Sequence, residues 1–231
     1  MKKEVQGMWV AIDGVDAVGK STQVSLVADG LREVGINPTI VVPEFSSSPV
    51  GQVIQEILVR QRFYALAEDR ETPLADTLHL LTDMAFNYEK LIGPTIHRGG
   101  IAVSDRGSAS LIAYQAIRLG ERSQYIEKGM AYEWSRTLAT HCFMIPDLTI
   151  LIKIPESEMI RRIISRGESP PNEKELEFLH EVDLLLAQAA GQVSREVVTI
   201  DGDRSLKDVT DQMISFCLQR WQEHQDTITN T

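Results

Sequence analysis

Residues Gly14-Val15-Asp16-Ala17-Val18-Gly19-Lys20-Ser21, followed by Thr22, fit the spacing G-x-x-x-x-G-K-[ST]. No other feature constrains the fold as strongly, because such a loop works only between a buried strand and the start of a helix. Both neighbours are present. The apolar run Met8-Trp9-Val10-Ala11-Ile12 reads as the strand, and Thr22 to Val34, with Leu26, Val27, Leu31 and Val34 at helical spacing, reads as the helix. The glycines let backbone N–H groups of Gly14, Val15, Ala17, Val18 and Gly19 turn inward around a phosphate, and the helix N-terminus adds partial positive charge. Lys20 then reaches the outer phosphates, the Ser21 hydroxyl suits Mg²⁺, and Thr22 opens the helix. The implied ligand is a nucleoside triphosphate, against the plainer reading of an ordinary glycine turn.

The rest of the chain alternates in the manner of a parallel sheet covered on both faces. After the first strand come β-rich runs at 38–42, 100–104, 148–154 and 196–200, with helical stretches between them. The expected architecture is α/β: a three-layer fold around a five-stranded parallel sheet flanked by helices, of the P-loop NTPase type. A long helical period over 73–98, through Leu78, Leu81, Ala85, Tyr88 and Ile92, is expected to end near Pro94. Segment 205–223 reads as a closing amphipathic helix, and the polar residues 224–231 as a frayed tail. With no repeat or low-complexity linker, 231 residues suit one domain with its core at about 7–223.

A net charge of −10 argues against binding a nucleic-acid polymer, which needs clustered Lys and Arg, but leaves room for a small phosphorylated substrate. No apolar run approaches the roughly 20 residues of a bilayer span, and the N-terminus lacks a signal-peptide layout, so a cytoplasmic protein without a membrane partner is expected. Cys142 and Cys217 have neither C-x-x-C spacing nor a His cluster; both are expected to be buried, inert thiols.

Two further groups carry chemistry. The third strand ends in Ser104-Asp105-Arg106. A carboxylate there faces the crevice where such sheets bind ligands, so Asp105 is a candidate for the Mg²⁺ shell and Arg106 for a phosphoryl group. The alternative is a strand-end ion pair capping the next helix. Ser110 and Tyr114 follow four residues apart, on one helix face. Arg162 and Arg166 share the same spacing ahead of Gly167 and a polar, Pro-containing stretch, which reads as a lid over 162–174, or else as solvated surface arginines.

Taken together, the loop with Asp16, Pro43-Glu44 after the second strand, Asp105-Arg106 with Ala113-Tyr114-Gln115, and Pro146-Asp147-Leu148-Thr149 opening the fourth strand resemble the thymidylate kinase family. The resemblance runs from about Trp9 to Asp201. It implies an ATP- and Mg²⁺-dependent nucleoside monophosphate kinase and a homodimer. Asp16 matches the loop carboxylate near the sugar hydroxyl and acceptor phosphate, and Arg106 the arginine that holds the monophosphate. Ser110, Tyr114 and Gln115 match positions lining the nucleoside pocket. Arg162 and Arg166 match the arginine-bearing approach to the lid. Glu44 and Phe45 follow the second strand and complete the acceptor side.

The chain also departs from that pattern. The family's base-stacking aromatic and its base-binding arginine fall on Leu80 and Met84, unless Phe86 or Tyr88 supplies the ring. The arginine and Gly-Gly-Thr turn after the second strand become Phe45-Ser46-Ser47-Ser48, and the Tyr after Asp-Arg becomes Gly107. Losing a charged donor to a base carbonyl removes about 1.5–3 kcal/mol, a ten- to hundredfold loss of affinity. A deoxynucleoside monophosphate, dTMP or a related nucleotide, is the expected acceptor. Two other readings stay open: a nucleoside or small-metabolite kinase, and a nucleotide-binding regulatory protein with weak transfer.

Overall fold

The computed structural model describes residues 7–60, 72–123, 126–142 and 145–229. Five parallel strands, β1 (Met8–Asp13), β2 (Thr39–Val42), β3 (Ile101–Asp105), β4 (Leu148–Lys153) and β5 (Val197–Asp201), form one sheet in the order β2-β3-β1-β4-β5. β1 is buried along its whole length and pairs with β3 on one side and β4 on the other. The chain therefore reverses its winding beside β1, and the crevice at the carboxyl ends of β1 and β3 is where such sheets take ligands. Asp147 fixes the β1–β4 register, since its carboxylate accepts from the Trp9 N–H at 2.9 Å and its own N–H donates to the Trp9 carbonyl at 2.9 Å.

The helices cover both faces: α1 (Lys20–Glu33), α2 (Pro49–Arg60), α3 (Pro73–Asn87), α4 (Gly93–His97), α5 (Ser108–Arg122), α6 (Ala131–Cys142), α7 (Glu156–Ser165), α8 (Glu173–Val193) and α9 (Leu206–Thr229). Of the apolar residues at helical spacing, Val27 and Leu31 are fully buried on α1 together with Val24 and Ala28, whereas Leu26 is half-buried and Val34, the C-cap, is exposed. On α9, Val209, Met213 and Cys217 repeat every four residues and are buried in the same core.

Three expectations need correction. The long helical segment does not stop near Pro94. Pro94 has no N–H to donate, and the turn before it widens to a π-helix over Tyr88–Ile92; the proline then sits in the first turn of α4, where a missing N–H costs nothing. The closing helix does not stop at 223 but runs to Thr229, because 206–229 contains neither Gly nor Pro and Gln222 to Gln225 include good helix formers; residues 230 and 231 lie outside the described residues. Cys217 is buried, whereas Cys142, in the last turn of α6, is exposed.

Candidate functional site

The loop after β1 has the backbone its glycines foretell. Gly14 (φ 152°) and Gly19 (φ 100°) take positive φ, as does Ala17 (φ 64°). α1 begins at Lys20 without a side-chain cap, so its first N–H groups remain available to an anion. Lys20 is buried; its ammonium donates to the Val15 carbonyl at 2.8 Å and lies 4.0 Å from Asp16. Burial and the nearby Arg106 charge push the Lys20 pKa down. Ser21 Oγ donates to Asp105 Oδ2 at 2.5 Å, which joins the loop to the end of β3, and Asp105 Oδ1 is buried without a hydrogen-bond partner. Arg162 braces the loop from α7. It donates to the Val18 carbonyl at 3.0 Å, the Gly202 carbonyl at 2.9 Å and Glu158 at 2.6 Å. The two arginines Arg161 and Arg162 hold the Glu158 carboxyl down at about 2.

Arg106 is the hub of the acceptor side. It adopts φ 71°, a left-handed conformation unusual for a branched-at-Cβ or long side chain, and its N–H continues the β1–β3 ladder to the Ile12 carbonyl at 3.0 Å. Its guanidinium donates to Asp16 and Glu44, both at 2.6 Å, to the Gly14 carbonyl at 3.1 Å and to Ser110 Oγ at 3.2 Å, and it lies 5.0 Å over the Tyr114 ring. Burial alone would lower its pKa, but the Glu44, Tyr114, Asp16 and Asp105 charges more than offset that, so it stays charged. Tyr114 is buried and its phenol pKa is raised, chiefly by desolvation.

Beyond Arg106 opens a mainly apolar cavity of about 310 Å³. Every acceptor-side residue picked out from sequence lines it: Asp16, Glu44, Phe45, Leu80, Met84, Ser110, Tyr114 and Gln115, with Asp105 and Arg106 at its mouth. Leu80 and Met84 project from adjacent turns of α3, and Tyr88 supplies a ring while Phe86 does not reach the cavity lining. Tyr88 lies 6.1 Å from Trp9, which also lines the cavity. Arg166 is placed elsewhere. It caps the C-terminus of α7, exposed, ahead of a short connection to α8, and Asn172 and Glu175 close that connection with a reciprocal capping box. Thr22 is exposed on α1.

Three residues of the site, and the packing reason for a fourth, escape the sequence reading. Asp13, the last residue of β1, is fully buried; its Oδ1 accepts from Ser110 Oγ and from the Gly107 N–H at 3.3 Å, while Oδ2 has no hydrogen-bond partner. An acid directly before the loop glycine, closing an apolar run, was the available signal. Asp83 is buried and accepts from the Ser46 N–H at 2.9 Å, from Ser46 Oγ, and from Ser48 Oγ at 3.2 Å, so the serines that replace a glycine turn are bound to α3. Asn87 donates to the Pro43 carbonyl at 2.9 Å and leaves Oδ1 buried without a partner beside the cavity. Gly107 is small for a packing reason: a Cβ there would stand 2.7 Å from the Ala11 Cβ.

Comparison with known proteins agrees with this geometry. The family model described as thymidylate kinase matches residues 12–213. A thymidylate kinase of Exiguobacterium is 28% identical over 220 residues, covering 95% of this chain and 98% of its own length. A probable thymidylate kinase of Methanosarcina barkeri is 31% identical over 217 residues, 93% of this chain and 98% of its own length. One from Parasynechococcus marenigrum is 33% identical over 162 residues, 68% and 72% of the two chains. With the phosphate loop, the Asp105-Arg106 strand end and all of the cavity lining but Trp9 inside the matched region, this chain belongs to the thymidylate kinase family of nucleoside monophosphate kinases.

Proposed function

We propose that the protein transfers the γ-phosphoryl group of ATP to the phosphate of a deoxynucleoside monophosphate, dTMP or a close relative, giving the diphosphate. The observation that carries this reading is Arg106, held between Asp16 and Glu44 where the phosphate loop meets the apolar cavity. A monophosphate anchored there has its nucleoside in the cavity and its phosphate facing the loop. Catalysis is then mainly positioning and electrostatics. Lys20 and the loop N–H groups hold the outer phosphates of ATP, Arg162 walls the loop near Gly19, and Arg106 with Asp16 aligns the acceptor phosphate. Arg166, on the α7–α8 connection within the proposed lid at 162–174, closes over the transferred group once ATP is bound.

Mg²⁺ fits the residues present. Ser21 Oγ and the unpartnered Asp105 Oδ1 offer hard oxygens beside the loop, and among the described residues no cluster of three His, Cys, Asp or Glu side chains forms a closed metal cage. That suits an ion held by one or two protein oxygens, phosphates and water. Bound there, it would neutralise charge on the phosphoryl oxygens.

Family membership favours this reading over a nucleoside kinase or a regulatory nucleotide binder. We further propose a single kinase domain acting as a cytoplasmic homodimer. The homodimer rests on the family resemblance, and among the described residues no helix is long and apolar enough to cross a membrane. The test is direct. Purified protein with ATP, Mg²⁺ and each deoxynucleoside monophosphate should release ADP with at least one, and Lys20→Ala should abolish it; ATP binding with no turnover on any acceptor defeats the reading. Light scattering reports the oligomeric state.

A further inference from the structure

The cavity contains one buried donor whose orientation is set from outside it. Gln115, fully buried on α5, lines the cavity, and its Nε2 has no hydrogen-bond partner. Its Oε1 accepts from Arg118 Nη1 at 3.4 Å and from Thr77 Oγ1 at 3.1 Å. Thr77 cannot fix the amide by itself. Its single proton is shared with the Pro73 carbonyl, which is nearer at 2.7 Å, and a hydroxyl accepts as readily as it donates. Arg118 is different, because a guanidinium has donors only, and only the amide oxygen can face it. Arg118 is itself nearly buried and anchored by Asp76 of α3 at 2.7 Å.

Resting on the proposed acceptor site, we infer that Arg118, anchored by Asp76, is a positioning residue that holds the Gln115 amide with its NH₂ toward the base and so selects a ring carbonyl over an exocyclic amine. In the lining Gln115 offers an unpartnered amide donor, while Asn87 on α3 leaves an unpartnered acceptor. Where the family pattern has an arginine, the chain has Met84, and the neighbouring side chains Leu80 and Phe45 cannot hydrogen-bond a base. A carbonyl opposite Nε2 satisfies a donor that is otherwise buried unpaired; an amino group opposite it leaves two donors facing each other. Without Arg118 the amide turns over. Nε2 then donates to Thr77 Oγ1, whose proton stays on the Pro73 carbonyl, and Oε1 faces the base.

Titration calorimetry with dUMP and dCMP, which exchange a 4-carbonyl and N3–H for a 4-amino group and a bare N3, tests this on the full chain, with ATP as the control ligand. Wild type should prefer dUMP by about tenfold or more. Arg118→Lys keeps a donor-only partner and should keep the preference. The double variant Asp76→Leu/Arg118→Met removes the ion pair without leaving a lone buried charge, and should bring the ratio to unity or invert it while ATP affinity is unchanged. A dUMP preference that survives in the double variant overturns the role of Arg118, and so does a wild type that favours dCMP. Failure of wild type to bind any nucleoside monophosphate instead removes the acceptor-site reading beneath it.

Discussion

Replacing Asp13 with Asn isolates a wholly buried carboxyl whose hydrogen-bond donors are Ser110 and Gly107 rather than a cation. Asp13 is wholly buried, its Oδ1 is occupied by Ser110 and Gly107, and its Oδ2 has no partner. Desolvation raises its pKa above the usual aspartate value of 3.8; the Ser110 hydrogen bond, Arg106, Gly107 and Lys20 pull the other way without cancelling it. The sign follows from proton counting. Between pH 3.8 and the raised native value, the folded protein holds a proton that the unfolded chain has released, so stability falls as pH rises through that window. Inside the window the slope approaches about 1.4 kcal/mol per pH unit for this one group, and it vanishes above the native pKa. Asp13→Asn keeps an acceptor for Ser110 and Gly107 but cannot ionise. Its amide brings unpartnered donors, a pH-independent cost of about 1–3 kcal/mol. The difference in unfolding free energy between variant and wild type, measured by urea denaturation from pH 4 to pH 8, should therefore move in favour of the variant as pH rises and then level off. Other titrating groups cancel in that difference. A flat difference, or one that moves toward wild type with rising pH, refutes the assignment of a raised Asp13 pKa.

Other expectations follow from the same geometry. Leu80→Phe with Met84→Arg restores a ring and a charged donor to the cavity and should tighten dTMP binding about ten- to a hundredfold by calorimetry, with ATP affinity unchanged. Glu158→Gln weakens the bonds that hold Arg162 on the Val18 carbonyl, and should raise KM for ATP several-fold while leaving KM for the acceptor alone; an equal change in both would place Arg162 outside the donor site. Burial pushes the Cys217 thiol up to about 12, and Cys142 is exposed, so a thiol reagent at pH 8 should label one cysteine in native protein and both in denaturant.

The order of elements was legible because each strand is an apolar run with β-branched residues and each boundary carries a turn signal. The loop was legible because its residue types are dictated by phosphate chemistry. The acceptor residues could be named through the motif around Asp105 and Tyr114, and the structure gathers them into one cavity. What stayed hidden has a common physical cause. Asp13, Asp83 and Arg118 act on neighbours 97, 37 and 42 residues away in the chain, and no local period or spacing encodes such pairs. The end of the helical segment was misplaced because a proline breaks a helix interior but suits a first turn, and periodicity cannot tell which it occupies until the π-turn at Tyr88–Ile92 is seen.

These long-range pairs also explain how the chain tolerates its departures. Asp83 stands beside Met84 on α3, and it anchors Ser46 and Ser48, so the loop after β2 is tied to the helix that lines the cavity. Asp76, two turns earlier on α3, anchors Arg118 and through it Gln115 on α5. The acids of α3 thus hold the serine loop on one side and, through Arg118, the buried amide on the other. On the reading proposed above, base recognition falls to a neutral amide on α5, where the family pattern would place a charged side chain on α3. A neutral hydrogen bond is weaker than a charge-assisted one but depends more strictly on which atom faces the ligand. Specificity in this chain should therefore be more sensitive to the Asp76–Arg118 pair, outside the cavity, than to Leu80 or Met84 within it.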